Sequence, residues 1–141
     1  MKRKRALTAE EKKHLIEKIT AFLQTKEYIL FAYIFGSFLP GKDFNDIDVA
    51  IFISSEKFDS LLVKELEIER ELGDVLHFPF DVRIINRSPL PFTYNAIKSG
   101  VVVLDNEKSL RTDFEGLIFK KYFDYKHLRD EYLRETKNAA V

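Results

Sequence analysis

The sequence contains no cysteine. That excludes disulfides and thiolate metal sites, so any metal must be held by oxygen or histidine ligands. It also lacks an excess of either charge: 23 basic residues meet 23 acidic ones, for a formal net charge of +0. A grip on nucleic acid through bulk charge is therefore not expected. There is no signal-peptide apolar segment and no apolar run long enough to span a bilayer, so cytoplasmic residence without a membrane partner is the expectation. No internal repeat, low-complexity block or Gly/Ser linker interrupts the chain. Its 141 residues suit a single domain spanning 1–141. What is abundant is apolar side chain: 45% hydrophobic residues, 13% aromatics and thirteen phenylalanines point to a well-filled interior. The basic run Lys2, Arg3, Lys4 and Arg5 reads as part of a flexible, solvated tail over residues 1–7.

Helical and strand patterns alternate along the chain. Thr8 and Glu11 have capping-box spacing ahead of an apolar stripe at Leu15, Ile16, Ile19, Phe22 and Leu23, which predicts a helix over about residues 8–25. The continuous apolar run from Tyr28 to Phe35 predicts a strand buried on both faces. Gly36-Ser37 breaks that pattern, and Pro40-Gly41 marks an irregular connection. A second strand follows over 46–53. Ser54 or Ser55 is the expected cap of a helix carrying Phe58, Leu62 and Leu66 on one face, with Gly73 at its C-terminal end. A third strand is predicted over 80–85, a short helix near 91–99 ending at Gly100, and a fourth strand over 101–104. A last helix, about 107–135, presents Phe114, Leu117, Ile118, Tyr122, Tyr125, Leu128 and Tyr132 on one broad face. Should residues near Tyr125 and Tyr132 extend beyond the body, they would form an interface with a second copy or another protein. The alternation predicts an α/β (α+β) fold, a mixed sheet of about four strands with helices packed against it.

The chemistry gathers on three aspartates. Asp46 and Asp48 are two apart on a predicted strand, so their side chains share one face while Ile47 and Val49 point into the core. Neighbouring carboxylates repel unless a cation lies between them. Hard oxygen donors suit Mg²⁺ or Mn²⁺. Asp81 stands alone in an apolar strand and needs a partner; Arg83 shares its face. Taken singly, Asp46 could cap a turn, Asp48 could be solvated and Asp81 could pair with Arg83. The metal reading accounts for all three together. Gly36 allows close approach of backbone to a ligand, and the neighbouring N–H groups and the Ser37 hydroxyl can hold phosphate oxygens. The turn and the acids could then face one nucleoside triphosphate. His14, His77 and His127 match no ligand spacing. Lys42 and Arg83 could neutralise phosphate charge, but a solvated Lys42 and a paired Arg83 are the readings favoured by the sequence.

Phe35-Gly-Ser-Phe-Leu-Pro-Gly-Lys-Asp-Phe-Asn-Asp-Ile-Asp-Val49 resembles the signature of the polymerase-beta-like nucleotidyltransferase superfamily: a hydrophobic strand, Gly-Ser, a variable gap, then Asp-x-Asp. The short length is similar to the minimal nucleotidyltransferase (MNT) family, Asp81 falls where that family places its third carboxylate, and Ala96-Ile-Lys-Ser-Gly-Val-Val-Val-Leu104 resembles the segment that follows it. The resemblance spans about residues 28–132. It implies transfer of a nucleoside monophosphate, AMP from ATP, to a hydroxyl. In that reading Asp46, Asp48 and Asp81 are the catalytic and Mg²⁺ (or Mn²⁺) binding residues, and Gly36 and Ser37 bind the nucleotide. It also implies an antitoxin role beside a HEPN-type toxin protein, with a toxin hydroxyl as acceptor. Two alternatives are a non-catalytic antitoxin that masks its toxin by contact and a small-molecule nucleotidyltransferase of the antibiotic-modifying kind. The full acid set favours catalysis; the lack of a second domain to wall an acceptor pocket disfavours the small-molecule role.

Overall fold

The structure, a computed structural model, describes residues 5–39, 43–54 and 58–139. The elements run α1 (Ala9–Gln24), β1 (Ile29–Phe35), β2 (Ile47–Ile53), α2 (Leu61–Leu76), β3 (Phe80–Ile84), α3 (Leu90–Ser99), β4 (Val101–Asp105) and α4 (Lys108–Ala139). The strands form one mixed sheet in the order β3-β2-β1-β4. β1 is antiparallel to both β2 and β4, and β2 is parallel to β3. Fold class and strand count are as the sequence pattern predicts. No helix among the described residues is long and apolar enough to cross a membrane.

Strand alternation sends successive side chains to opposite faces. Ala32 and Ile34 of β1, Val49 and Ile51 of β2, and Val82 and Ile84 of β3 pack with Leu15, Ile19 and Leu23 of α1 and Ile68 and Leu72 of α2. On the other face Phe31, Tyr33 and Ala50 pack with Tyr94, Ala96 and Ile97 of α3 and Ile118 of α4. With helices on both faces, β1 is apolar throughout, as its sequence requires. Asp48 shares the α3/α4 face with Ala50, and Asp81 shares it with Arg83.

The sequence signals hold at α1, where Thr8 and Glu11 complete the capping box, and at α3, which ends against Gly100. They fail at α2. Its N-cap is Ser60, not Ser54 or Ser55; residue 55 lies outside the described residues. Phe58 precedes the helix, where it meets Tyr28 edge-on at 4.8 Å. Leu62 and Leu66, the expected inner face, are 65% and 54% exposed. Ile68 and Leu72 point inward instead, because the same side of the helix carries Glu65 and Glu69, which bond to β3. Glu69 Oε1 accepts from the Val82 N–H at 2.9 Å, and Glu65 Oε2 accepts from the Ile84 N–H at 2.8 Å. β3 is an edge strand, and these two carboxylates occupy donors that would otherwise invite another strand. Gly73 is not the helix end either: α2 runs on to Leu76, and His77 takes the left-handed conformation (φ 60°), its N–H bonding the Gly73 carbonyl at 2.9 Å.

The basic tail ends earlier than expected. Arg5 forms an antiparallel bridge with Phe44, its N–H and carbonyl both paired there, and Leu7 packs against the core. Lys2, Arg3 and Lys4 lie outside the described residues, as do Pro40, Gly41 and Lys42.

Candidate active site

Antiparallel β1–β2 pairing and parallel β2–β3 pairing bring the end of β1 and the starts of β2 and β3 to one edge of the sheet. Asp48 is the register partner of Phe35 on one side and of Asp81 on the other. The two aspartates, 33 positions apart in sequence, are thus neighbours on the same sheet face. Asp46 sits in the bend immediately before β2, and Asp46, Asp48 and Asp81 are all half-buried.

β1 runs directly into a short 3-10 turn, Gly36–Phe38. Gly36 has φ +82°, a conformation that L side chains rarely adopt. A Cβ on Gly36 would collide with Asp48 Oδ2, so only glycine lets the turn lie against that carboxylate. Ser37 is exposed beside it. Below the turn, Phe38 is fully buried and meets Phe44 edge-on at 4.8 Å. The Phe38 carbonyl accepts from Lys12 Nζ at 2.5 Å, and that ammonium lies 4.9 and 5.3 Å from the Phe38 and Phe44 ring centroids. Lys12 is buried on α1. It falls on the stripe Lys12, Leu15, Ile19, Leu23, so its helical spacing carried a signal that sequence reading missed.

Asp81 is turned toward Arg83, whose Nε lies 3.2 Å from Asp81 Oδ1. The Arg83 guanidinium also sits over the Phe92 ring, 5.9 Å from its centroid, and Phe92 packs edge-on against Phe35 at 5.6 Å. Phe35, Asp48, Asp81, Arg83 and Phe92 therefore close a circuit around the acidic edge. Phe92, on the first turns of α3, carries no signal in sequence beyond its apolarity. The three histidines are scattered: His14 and His127 lie beside glutamates of their own helices, and His77 ends α2.

Among the described residues no group of three or more His, Asp or Glu side chains closes on a point that could hold a metal ion. The donor set still suits a hard divalent cation. Mg²⁺ takes one or two carboxylates and completes its shell with water and substrate phosphates, not with an all-protein cage. Asn45, immediately before Asp46, has its Oδ1 buried without a hydrogen-bond partner among the described residues, one more acceptor left over at this edge.

The family model described as Polymerase beta, Nucleotidyltransferase matches residues 17–109, more than half of the chain. The chain belongs to that family. No curated protein matches it in sequence. Among solved structures, one described as a tri-AMPylated Shewanella oneidensis HEPN toxin in complex with MNT antitoxin matches with a TM-score of 0.67 at 16% identity, covering 92% of this chain and 99% of the other. A toxin–antitoxin MntA–HepT structure matches with a TM-score of 0.61 at 17% identity over 92% and 99% of the two chains. A toxin–antitoxin structure with AMP-PNP matches with a TM-score of 0.65 at 18% identity over 89% and 98%. At these identities the likeness is one of fold.

Proposed function

We propose that this nucleotidyltransferase-family chain transfers AMP from ATP to a side-chain hydroxyl of a HEPN-type protein partner, in the manner of an antitoxin. The observation that carries the reading is the register pairing of Asp48 with Asp81 beside a Gly36 turn that only glycine can make. It supports Asp46 and Asp48 as the residues that hold Mg²⁺, with Asp81 as a further ligand or as the acceptor of the proton from the attacking hydroxyl. Bound there, Mg²⁺ supplies charge stabilisation for the phosphoryl oxygens and the departing pyrophosphate. The Gly36-Ser37 turn holds the phosphates through its N–H groups and the Ser37 hydroxyl. The acceptor hydroxyl gives its proton to Asp81 or, where Asp81 is a ligand, to solvent; its oxygen forms a bond to the α-phosphorus, the bond from that phosphorus to the α–β bridging oxygen breaks, and pyrophosphate leaves.

A protein acceptor fits the open edge, which has little wall to enclose a small molecule. A docked partner supplies the surface that excludes water and positions the nucleophile. The far half of α4 offers a place for it: Phe123, Tyr125, Leu128, Tyr132 and Leu133 are all exposed. The known complexes of similar fold, which pair an MNT antitoxin with a HEPN toxin, support that class of partner. The same face favours a second reading, neutralisation of the toxin by contact alone.

A thermal-shift experiment with MgATP tests the site. Binding to the folded state alone should add about 2.7 kcal/mol of stability at a hundredfold excess over the dissociation constant. Asp46→Asn should lose that shift. Identical behaviour of the two proteins at millimolar nucleotide would remove the site.

A further inference from the structure

We propose that Arg83 is a triphosphate-binding residue that Asp81 holds in reserve, exchanging its carboxylate partner for phosphate when metal and nucleotide enter. The inference rests on the reading of the acidic edge as a nucleotide site and adds a residue that the Asp-x-Asp and Gly-Ser elements do not include.

Three features of the structure carry it. Asp48 and Asp81 are register partners, so without a cation their charges repel. Arg83 offsets part of that charge through a single contact, Nε to Asp81 Oδ1 at 3.2 Å. Among the described residues this is the one ion pair Arg83 makes. The two side chains are 53% and 42% exposed, so solvent screens the pair and little free energy opposes its opening. Finally, the guanidinium sits over the Phe92 ring, and Phe92 is fixed against Phe35 at the end of β1. The ring gives the guanidinium a resting surface independent of Asp81. Phe35 leads directly into Gly36-Ser37, so Arg83 and the phosphate-binding turn border the same carboxylates from opposite sides.

A divalent cation arriving at these carboxylates repels the guanidinium and takes over its neutralising role. A triphosphate arriving with it offers several anionic oxygens in an arrangement that a guanidinium can grip with two parallel hydrogen bonds, stronger than the one-point contact it leaves. Arg83 should therefore oppose the metal alone and favour the metal–nucleotide complex. A merely structural arginine would not act with opposite sign on the two ligands.

The test measures two affinities on the full chain: Mn²⁺ alone, from the paramagnetic resonance of the free ion, and MgATP, by titration calorimetry. Relative to wild type, Arg83→Gln should bind Mn²⁺ about threefold to tenfold more tightly. It should bind MgATP about tenfold to a hundredfold more weakly. Arg83→Lys, which keeps the charge but not the fork, should return Mn²⁺ affinity to the wild-type value and recover only part of the nucleotide affinity. Unliganded melting of both variants should match wild type. If wild type binds MgATP and Arg83→Gln binds it equally well, the role of Arg83 fails while the site stands. If Arg83→Gln leaves Mn²⁺ binding unchanged or weaker, the exchange fails. If wild type binds no nucleotide, the site reading falls and this role falls with it.

Discussion

Asp48 and Asp81 face each other across the parallel β2–β3 pair, two carboxylates brought side by side by strand register. Like charges on register partners repel to the extent that no cation offsets them. Asp48→Asn keeps the shape and removes one charge. The variant should lose nucleotidyl transfer yet be as stable as wild type without metal, or more stable by up to about 1 kcal/mol. Chemical denaturation of both proteins in a chelator checks this. A large loss of stability would show Asp48 to be a structural hydrogen-bonding residue.

Gly36 is the tightest steric point of the site. Gly36→Ala places a methyl group on the Asp48 carboxylate in a backbone conformation unfavourable to alanine. The backbone strain alone should cost about 1–3 kcal/mol. The variant should also bind MgATP more weakly than wild type under conditions where both are folded. Equal stability and equal binding would mean that the turn adapts freely and does not shape the site.

The edge of β3 depends on α2. Removing the Glu69 side chain leaves the Val82 N–H, which it meets at 2.9 Å, without its acceptor. Glu69→Ala should cost about 1–2 kcal/mol in urea denaturation. Glu69→Gln, which keeps an acceptor oxygen, should recover most of that. A glutamine variant as unstable as the alanine variant would assign the effect to charge instead of to the hydrogen bond.

Tyr33 links β1 to α4 through a hydrogen bond from its hydroxyl to Glu115 Oε2 at 3.1 Å. Burial and the Glu115 charge push its ionisation well above the ordinary tyrosine value of 10.0. The folded state holds this proton more tightly than the unfolded chain. Its contribution to stability is therefore complete below pH 10.0 and is lost as pH rises above it. Between about pH 9 and pH 11, wild type should lose more stability than Tyr33→Phe, with a limiting slope difference of about 1.4 kcal/mol per pH unit. Parallel pH profiles would show that Tyr33 titrates alike in both states.

The sheet was legible because β1 is buried on both faces and β3 alternates buried with more exposed positions. The apolar run from Tyr28 to Phe35 marks a covered strand, and Asp48 interrupts the apolar run of the next one; Asp46, expected on that strand, lies in the bend just before it. α2 was misread because an amphipathic pattern assumes that carboxylates seek water. Glu65 and Glu69 instead turn inward to serve the backbone of β3, and the apolar Leu62 and Leu66 are left outside. Of the site, the acids and the Gly-Ser turn were visible as motifs. The grip of Lys12 on the Phe38 carbonyl and the placement of Phe92 under Arg83 depend on contacts between segments distant in sequence, which no local pattern records. The long apolar stripe of α4 was visible, with its far end as a candidate interface; which of its residues pack was not, since Ile118 is buried while the neighbouring Leu117, and Leu128 and Tyr132 beyond it, are exposed.

The proposed reaction makes this chain an enzyme acting on a protein. Intact-mass spectrometry of a HEPN-type protein of the proposed partner class, after incubation with the chain and MgATP, decides it. The expected result is a mass gain of about 329 Da for each AMP group left when pyrophosphate departs, absent with Asp46→Asn or Asp48→Asn. A partner that is neutralised with no change in mass, and equally well by Asp46→Asn, would contradict it and leave a protein that acts by contact alone.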